Sequence, residues 1–308
     1  MVTTSTGEFA PAACYSNDFA IRKACRESCT FDTCSLSLSY WSYLPSYAAN
    51  GLFLALFTIS LLAYLAQGLI RRRFIGFTIA MLLGSILEVL GYAARVWAHA
   101  QPFVENPFLL QIIGLTIAPA FYAAGIYFCL SRIIITFGAE NSRLPAKWYP
   151  RIFITCDFFS LILQATGGGM ASTATHLNKN PAAGNHIMVA GLAFQVFTLL
   201  IFILLALDFG FTTLKRIRQM GKSEALDPTH QKLRDSKKFK LFLIALAFAT
   251  LCIFTRSVYR VAELSEGWQG HLIKTQKYFI GLEGAIVAAG VLALNAFHPA
   301  YCMREAFE

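Results

Sequence analysis

Seven long apolar stretches, separated by short polar ones, occupy the chain from about residue 46 to residue 300. A helical crossing of a bilayer core takes about 20 mostly apolar residues, and a water-soluble core has no use for seven such runs in a row. The stretches cover approximately 46–70, 74–98, 109–137, 151–175, 186–210, 239–263 and 277–300. The expected fold is an all-α membrane protein, a seven-transmembrane helix bundle over 46–300. A cysteine-bearing tail covers 1–45 and a short tail 301–308. Only 14% of the residues are charged, against roughly a quarter in soluble domains, and the short loops leave no room for a second domain. The third stretch exceeds one crossing and carries Pro119, which predicts tilt or a kink.

Lys and Arg alternate between the connections. Arg71, Arg72 and Arg73 follow the first stretch, and Arg143, Lys147 and Arg151 the third. Lys215, Arg216, Arg218, Lys222, Lys232, Arg234, Lys237 and Lys238 follow the fifth, while the alternate loops hold only Lys179 and Lys274. By the positive-inside rule the first set is cytoplasmic, so the N-terminus is expected outside and the C-terminus, with Arg304, inside. The net charge of +9 is thereby explained by topology, and no nucleic-acid partner is expected. The basic segment over 211–238 reads as a topology signal beside anionic lipid, with a partner-binding loop as the alternative.

The N-terminal tail has no apolar run of the kind a cleaved signal carries. It holds Cys14, Cys25, Cys29 and Cys34, four of the eight cysteines. On the expected oxidising side these read as two disulfides with three possible pairings; a zinc site is the other option. Cys129, Cys156, Cys252 and Cys302 read as packing residues, and the chain contains no Asn-x-Ser/Thr sequon.

Ionisable groups inside a bilayer are costly and face a bundle interior or a wet cavity. Helical spacing puts Glu88, Tyr92 and Arg95 on one face of the second stretch. It does the same for Arg256, Arg260 and Glu263 on the sixth, and for Asp157, Ser160 and Gln164 on the fourth. Glu283 lies on the seventh and Gln111 near the start of the third. At about 1.5 Å per residue, Glu88, Arg95, Arg256, Arg260, Glu263 and Glu283 fall in the half of the membrane nearer the N-terminal tail, where they are expected to converge on one apolar-walled chamber, while Asp157 stands apart in the other half and Gln164 lies near the middle. Salt bridges that simply hold the bundle together are the alternative. The Gly167-Gly168-Gly169-Met170 run predicts close helix approach or a local break, and Gly84 and Gly91 flank Glu88 where another helix can come near.

Catalysis finds little support. None of the six histidines lies at the depth of Glu88 or Asp157. His-x-x-x-His, His-Glu-x-x-His and Gly-x-Ser-x-Gly are all missing, as is any nucleotide-binding motif. No metal or cofactor is expected.

Several segments resemble the fungal lipid-translocating exporter family, also known as RTA-like (resistance to aminocholesterol) proteins. They are Tyr43-Leu44-Pro45-Ser46 with Ala49-Asn50, and Leu87 to Arg95 (LEVLGYAAR). Asn106-Pro107-Phe108 with Gln111 and Leu115 to Phe121 (LTIAPAF) follow. Next come Asp157 with Ser160-Leu161 and Gln164, then Arg256-Ser257-Val258-Tyr259-Arg260 with Glu263, and Leu294-Asn295 with Phe297-His298-Pro299. Glu283 stands where relatives are also expected to carry aspartate. The resemblance implies seven spans, residence in the plasma membrane or another cell membrane, and movement of lipids or resistance to toxic amphiphiles, with a sphingoid long-chain-base exporter among the members.

The resulting expectation is an exporter of a long-chain base or similar amphiphile. Glu88 and Glu283 would meet the ammonium, Arg95, Arg256 and Arg260 would balance them, and Asp157 and Gln164 would line the inner approach, with Asp157 as proton site. The rival is a seven-span receptor or sensor of lipid stress. It lacks an acidic residue before Arg132 at the end of the third span and an Asn-Pro-x-x-Tyr motif in the seventh.

Overall fold

The computed structural model describes residues 2–3, 9–41, 43–72, 74–267 and 270–303. Arg73, Arg304 and the Lys222 side chain, all used in the charge argument, lie outside the described residues. A short tail helix, α1 (Phe19–Glu27), precedes seven helices long and apolar enough to cross a membrane. These are α2 (Tyr47–Arg71), α3 (Ile75–Ala100), α4 (Glu105–Phe137), α5 (Trp148–His176), α6 (Ala182–Met220), α7 (Lys237–Ser265) and α8 (Gln276–Cys302). Among the described residues the only strand pairing is the two-residue ladder of Val2–Thr3 with Phe9–Ala10. The chain is an all-helical seven-span bundle.

Local chemistry sets the helix ends. Ser46 caps α2, its hydroxyl accepting from Ala49 N at 3.4 Å. Arg72 ends α2 in the left-handed region (φ 46°), with its N–H donated to Gly68 O. Phe74, also left-handed (φ 58°), precedes the first residue of α3, so a left-handed residue stands at each end of the short connection.

Each span packs mainly on its sequence neighbour, α3 along α4 and α5 along α6; α2 lies along α3, and α8 against α7. Leu52, Ile59, Leu62 and Leu69 of α2 are exposed, as fits a helix that faces lipid, which is as apolar as leucine. Tyr64, Tyr122 and Tyr127 are buried instead, where their hydroxyls donate to Val291 O, Ser85 Oγ and Asp157 Oδ2, partners that hydrocarbon does not offer.

Glycines set the closest crossings. A Cβ on Gly91 would meet the Leu115 side chain at 2.5 Å, and one on Gly84 the Tyr122 ring at 2.6 Å, so α4 lies tight along α3. Between α5 and α6 the backbones themselves touch. A Cβ on Gly167 would stand 2.4 Å from Met188 N, and one on Gly184 2.4 Å from Ala171 N.

Two irregularities matter for the site. α4 runs as one helix through Pro119; the missing N–H leaves the carbonyl of Leu115 without its partner four residues on. In α8, Phe279–Ala285 is π-helical, and Glu283 lies within it.

α6 has 39 residues, which at about 1.5 Å per residue overshoots an ~30 Å hydrocarbon core. The basic segment from 211, expected to be partly helical, begins as a continuation of α6. It then folds back: Asn141 Nδ2 donates to Ala225 O at 3.1 Å, and Arg234 Nη1 to Thr136 O at 2.8 Å.

Gly184→Leu should lower the thermal midpoint of detergent-solubilised protein, since overpacking against a rigid backbone costs about 1–3 kcal/mol or more. Gly169→Ala, whose Cβ meets nothing within 4 Å, should leave it unchanged. Equal midpoints in both variants would contradict the α5–α6 contact.

Candidate functional site

The charged residues of α3, α7 and α8 meet in the half of the bundle nearer the N-terminal tail, and they close on one another. Arg256 Nη2 donates to Glu283 Oε1 at 2.5 Å, and both side chains are 2% exposed. The same nitrogen donates to the Leu115 carbonyl freed by Pro119. Arg260 donates to Glu263, reaches Thr116 Oγ1 at 3.4 Å, and stands 4.0 Å from Glu283. Tyr259 donates to Glu263 at 3.2 Å. Glu88 is buried, within electrostatic reach of Arg256 and Glu283.

Arg95 joins the tail to the bundle. It donates to Asn50 Oδ1 at 2.7 Å, Gln111 Oε1 at 3.0 Å and the Tyr43 hydroxyl at 3.0 Å, and lies 3.8 Å over the Phe279 ring. Gln111 Oε1 also accepts from Trp41 Nε1 at 2.8 Å. Tyr92 packs between Phe53 and Phe57.

On α5, Asp157 Oδ2 accepts from the Tyr127 hydroxyl at 3.0 Å, while Oδ1 has no hydrogen-bond partner among the described residues. Gln164 Nε2 donates to Ser160 Oγ at 2.8 Å and Gln195 Oε1 at 3.1 Å. Its Oε1 is unpartnered.

The space for a ligand lies beside this charge network. A cavity of about 920 Å³ is bounded by α4 and α5, the N-terminal tail, and residues of α6 and α7 such as Met188 and Arg260. Ile112, Ile113, Ile117 and Leu161 give it apolar walls. Of the residues singled out from sequence, Gln164 and Arg260 line it; Glu88, Tyr92, Arg95, Gln111, Asp157, Arg256, Glu263 and Glu283 do not.

The tail is held over this cavity. Disulfides join Cys14 to Cys25 and Cys29 to Cys34. Cys14, Cys29 and Cys34 sulfurs cluster within 4.8 Å, but as disulfides they offer no thiolate to a metal. Arg22 of α1 donates to Asn178 Oδ1 at 2.9 Å and to the carbonyls of Thr175 and His176 at 3.3 Å, capping the C-terminus of α5 with a cation. The Phe19 ring stacks on His176 at 3.9 Å. Glu105 Oε1 lies 2.8 Å from His176 Nε2, and its Oε2 3.5 Å from Lys23 Nζ. Burial, with the Glu105 charge second, pushes the Tyr40 phenol above its usual value, so this cavity-lining hydroxyl keeps its proton.

Sequence reasoning missed Arg26, Ser39, Trp41, Glu105 and His176 as lining residues. Glu105 alone carried a signal, a carboxylate at the first turn of a span.

Arg256→Met and Glu283→Met should each destabilise the bundle by about 3–5 kcal/mol, because each strands a buried charge. Combining Arg256→Met with Glu283→Met should cost less than the sum of the single changes. Strict additivity in thermal melts would show that the two side chains act independently.

The RTA1-like protein family model matches residues 81–306. The sphingoid long-chain base transporter RSB1 of Saccharomyces cerevisiae is 35% identical over 286 residues, 86% of this chain and 74% of that protein. Protein RTA1 of the same yeast is 30% identical over 210 residues, covering 68% of this chain and 61% of RTA1. Protein RTM1 is 28% identical over 223 residues, covering 71% and 67% of the two chains. No solved structure matches. The matched region takes in α4 to α8 and most of α3, with the Arg256–Glu283 pair, the freed Leu115 carbonyl and most of the cavity wall, and the chain belongs to the RTA1-like family of multi-pass integral membrane proteins.

Proposed function

We propose that the chain is a lipid translocator and no enzyme, and that it moves a single-chain amphiphile of the long-chain base class named for its transporter relative. The observation that carries this reading is the cavity of about 920 Å³ with isoleucine and leucine walls and polar groups beneath the tail. Its size suits a small-molecule ligand, since such sites run ~300–1,000 Å³. A charged head group in hydrocarbon costs several kcal/mol; a path with polar partners lowers that barrier.

The chain of the amphiphile lies along Ile112, Ile113, Ile117 and Leu161. Gln164 Oε1, an unpartnered acceptor, accepts a hydrogen bond from the ammonium or a hydroxyl, and Arg260 contributes a polar wall. Glu88, Tyr92, Arg95, Gln111, Arg256, Glu263 and Glu283 position the helices around the path. Asp157, with one carboxylate oxygen unpartnered, is the candidate proton site for driving transport.

Movement is outward, with the tail outside the cell and the protein in the plasma membrane. The tail disulfides suit an oxidising side, and the long basic segment lies at the opposite end. An N-terminal epitope should be accessible to antibody on intact cells; access only after permeabilisation would reverse the orientation.

Ile112→Trp, which fills the cavity, should slow leaflet exchange of a labelled long-chain base in liposomes at least tenfold at equal reconstituted protein. Unchanged exchange would discard the cavity as the route.

A further inference from the structure

Resting on the reading that the cavity holds an amphiphile, we infer that its head-group end selects a phosphate monoester, so that a phosphorylated single-chain lipid binds more tightly than the unphosphorylated base.

The charge inventory points this way. Glu105 is the only carboxylate among the described lining residues, against Arg22, Arg26, Arg260 and Lys274. Glu105 is already occupied, one oxygen by His176 and the other by Lys23. An incoming ammonium therefore finds no free carboxylate at this end. Arg260 is balanced by Glu263 and Glu283 and counts as a polar wall. The other three cations are not balanced. Among the described residues Arg22 donates only to neutral oxygens, those of Ser16, Thr175, His176 and Asn178. Arg26 lies 5.4 Å over the Tyr40 ring, and Lys274 joins no ion pair among the described residues.

Unused hydrogen-bonding capacity gathers at the same end. Arg26 Nε and Ser39 Oγ are buried without a hydrogen-bond partner among the described residues, and both residues line the cavity. A buried donor left without an acceptor costs stability, so the site gains when an acceptor arrives. A phosphate monoester brings about −1.5 to −2 charge and three acceptor oxygens, which matches guanidinium and hydroxyl donors. Gln164 Oε1 remains available for an ammonium or hydroxyl further along the chain.

The test compares a sphingoid base with its 1-phosphate, by equilibrium binding to the purified full chain and by exchange in liposomes. Lysophosphatidate of equal chain length and inorganic phosphate serve as competitors. The expected result is at least tenfold tighter binding of the phosphorylated base, with that ratio falling severalfold in Arg26→Gln and, less, in Ser39→Ala. Competition by lysophosphatidate as strong as by the sphingoid phosphate assigns the recognition to phosphate on any single chain. Weaker competition supports a phosphate site aided by the sphingoid ammonium. Base binding equal to or tighter than its phosphate, or an unchanged ratio in Arg26→Gln, overturns this inference and leaves the transport reading standing. Failure of both lipids to bind overturns both. Full displacement by inorganic phosphate at the lipid's own affinity would show an ion site with no role for the chain, and would equally overturn it.

Discussion

Arg256 is the joint on which the bundle turns. From α7 it donates to Glu283 of α8 and to the Leu115 carbonyl of α4, and it stands within electrostatic reach of Glu88 on α3. Hydrocarbon offers no water to a stranded carbonyl or an isolated charge. Pro119 creates the first need and the ionisable side chains the second, and one guanidinium with several donors serves both. A lysine would bring a single point charge without the planar fork.

The same demand accounts for the shape of α8. Glu283 lies in a π-helical stretch, an irregularity frequent at functional sites. Backbone irregularity at membrane depth is tolerated where it is buried in protein, and here it is packed against Phe53, whose ring would lie 2.5 Å from a Cβ on Gly284. Charge pairing thus holds α3, α4, α7 and α8 together, whereas α5 and α6 are joined by backbone contact at Gly167 and Gly184. The cavity lies where these two differently bonded groups face each other, with α4 on one side and α5 on the other.

The tail is a structural part of that cavity. Disulfides of short span typically contribute about 2–4 kcal/mol by restricting the unfolded chain, and a segment of some thirty residues with few buried side chains needs such help. Its polar side chains then reach across to α3, α4 and α5 through Tyr43, Trp41, Lys23 and Arg22. The cavity thereby acquires a wall of arginine, serine and aromatic residues beside its isoleucines and leucines.

Hydropathy alone determined the seven spans, since only runs of this length satisfy their own backbone in lipid. Helical spacing likewise put Arg256, Arg260 and Glu263 on one face and Glu88, Tyr92 and Arg95 on another, because the 3.6-residue repeat is a local property. The glycines beside Glu88, and Gly167 in the glycine run, stand where helices approach closely. Tertiary structure alone decided that these charges neutralise one another and that the open space lies beside them. Spacing along a helix says which side chains share a face, but not what the facing helix offers. Tyr127 opposite Asp157, the Leu115 carbonyl opposite Arg256, and the disulfide pairing are likewise contacts between distant parts of the chain. So is the fold of the tail over Glu105 and His176, which put Arg26 and Ser39 at the cavity wall.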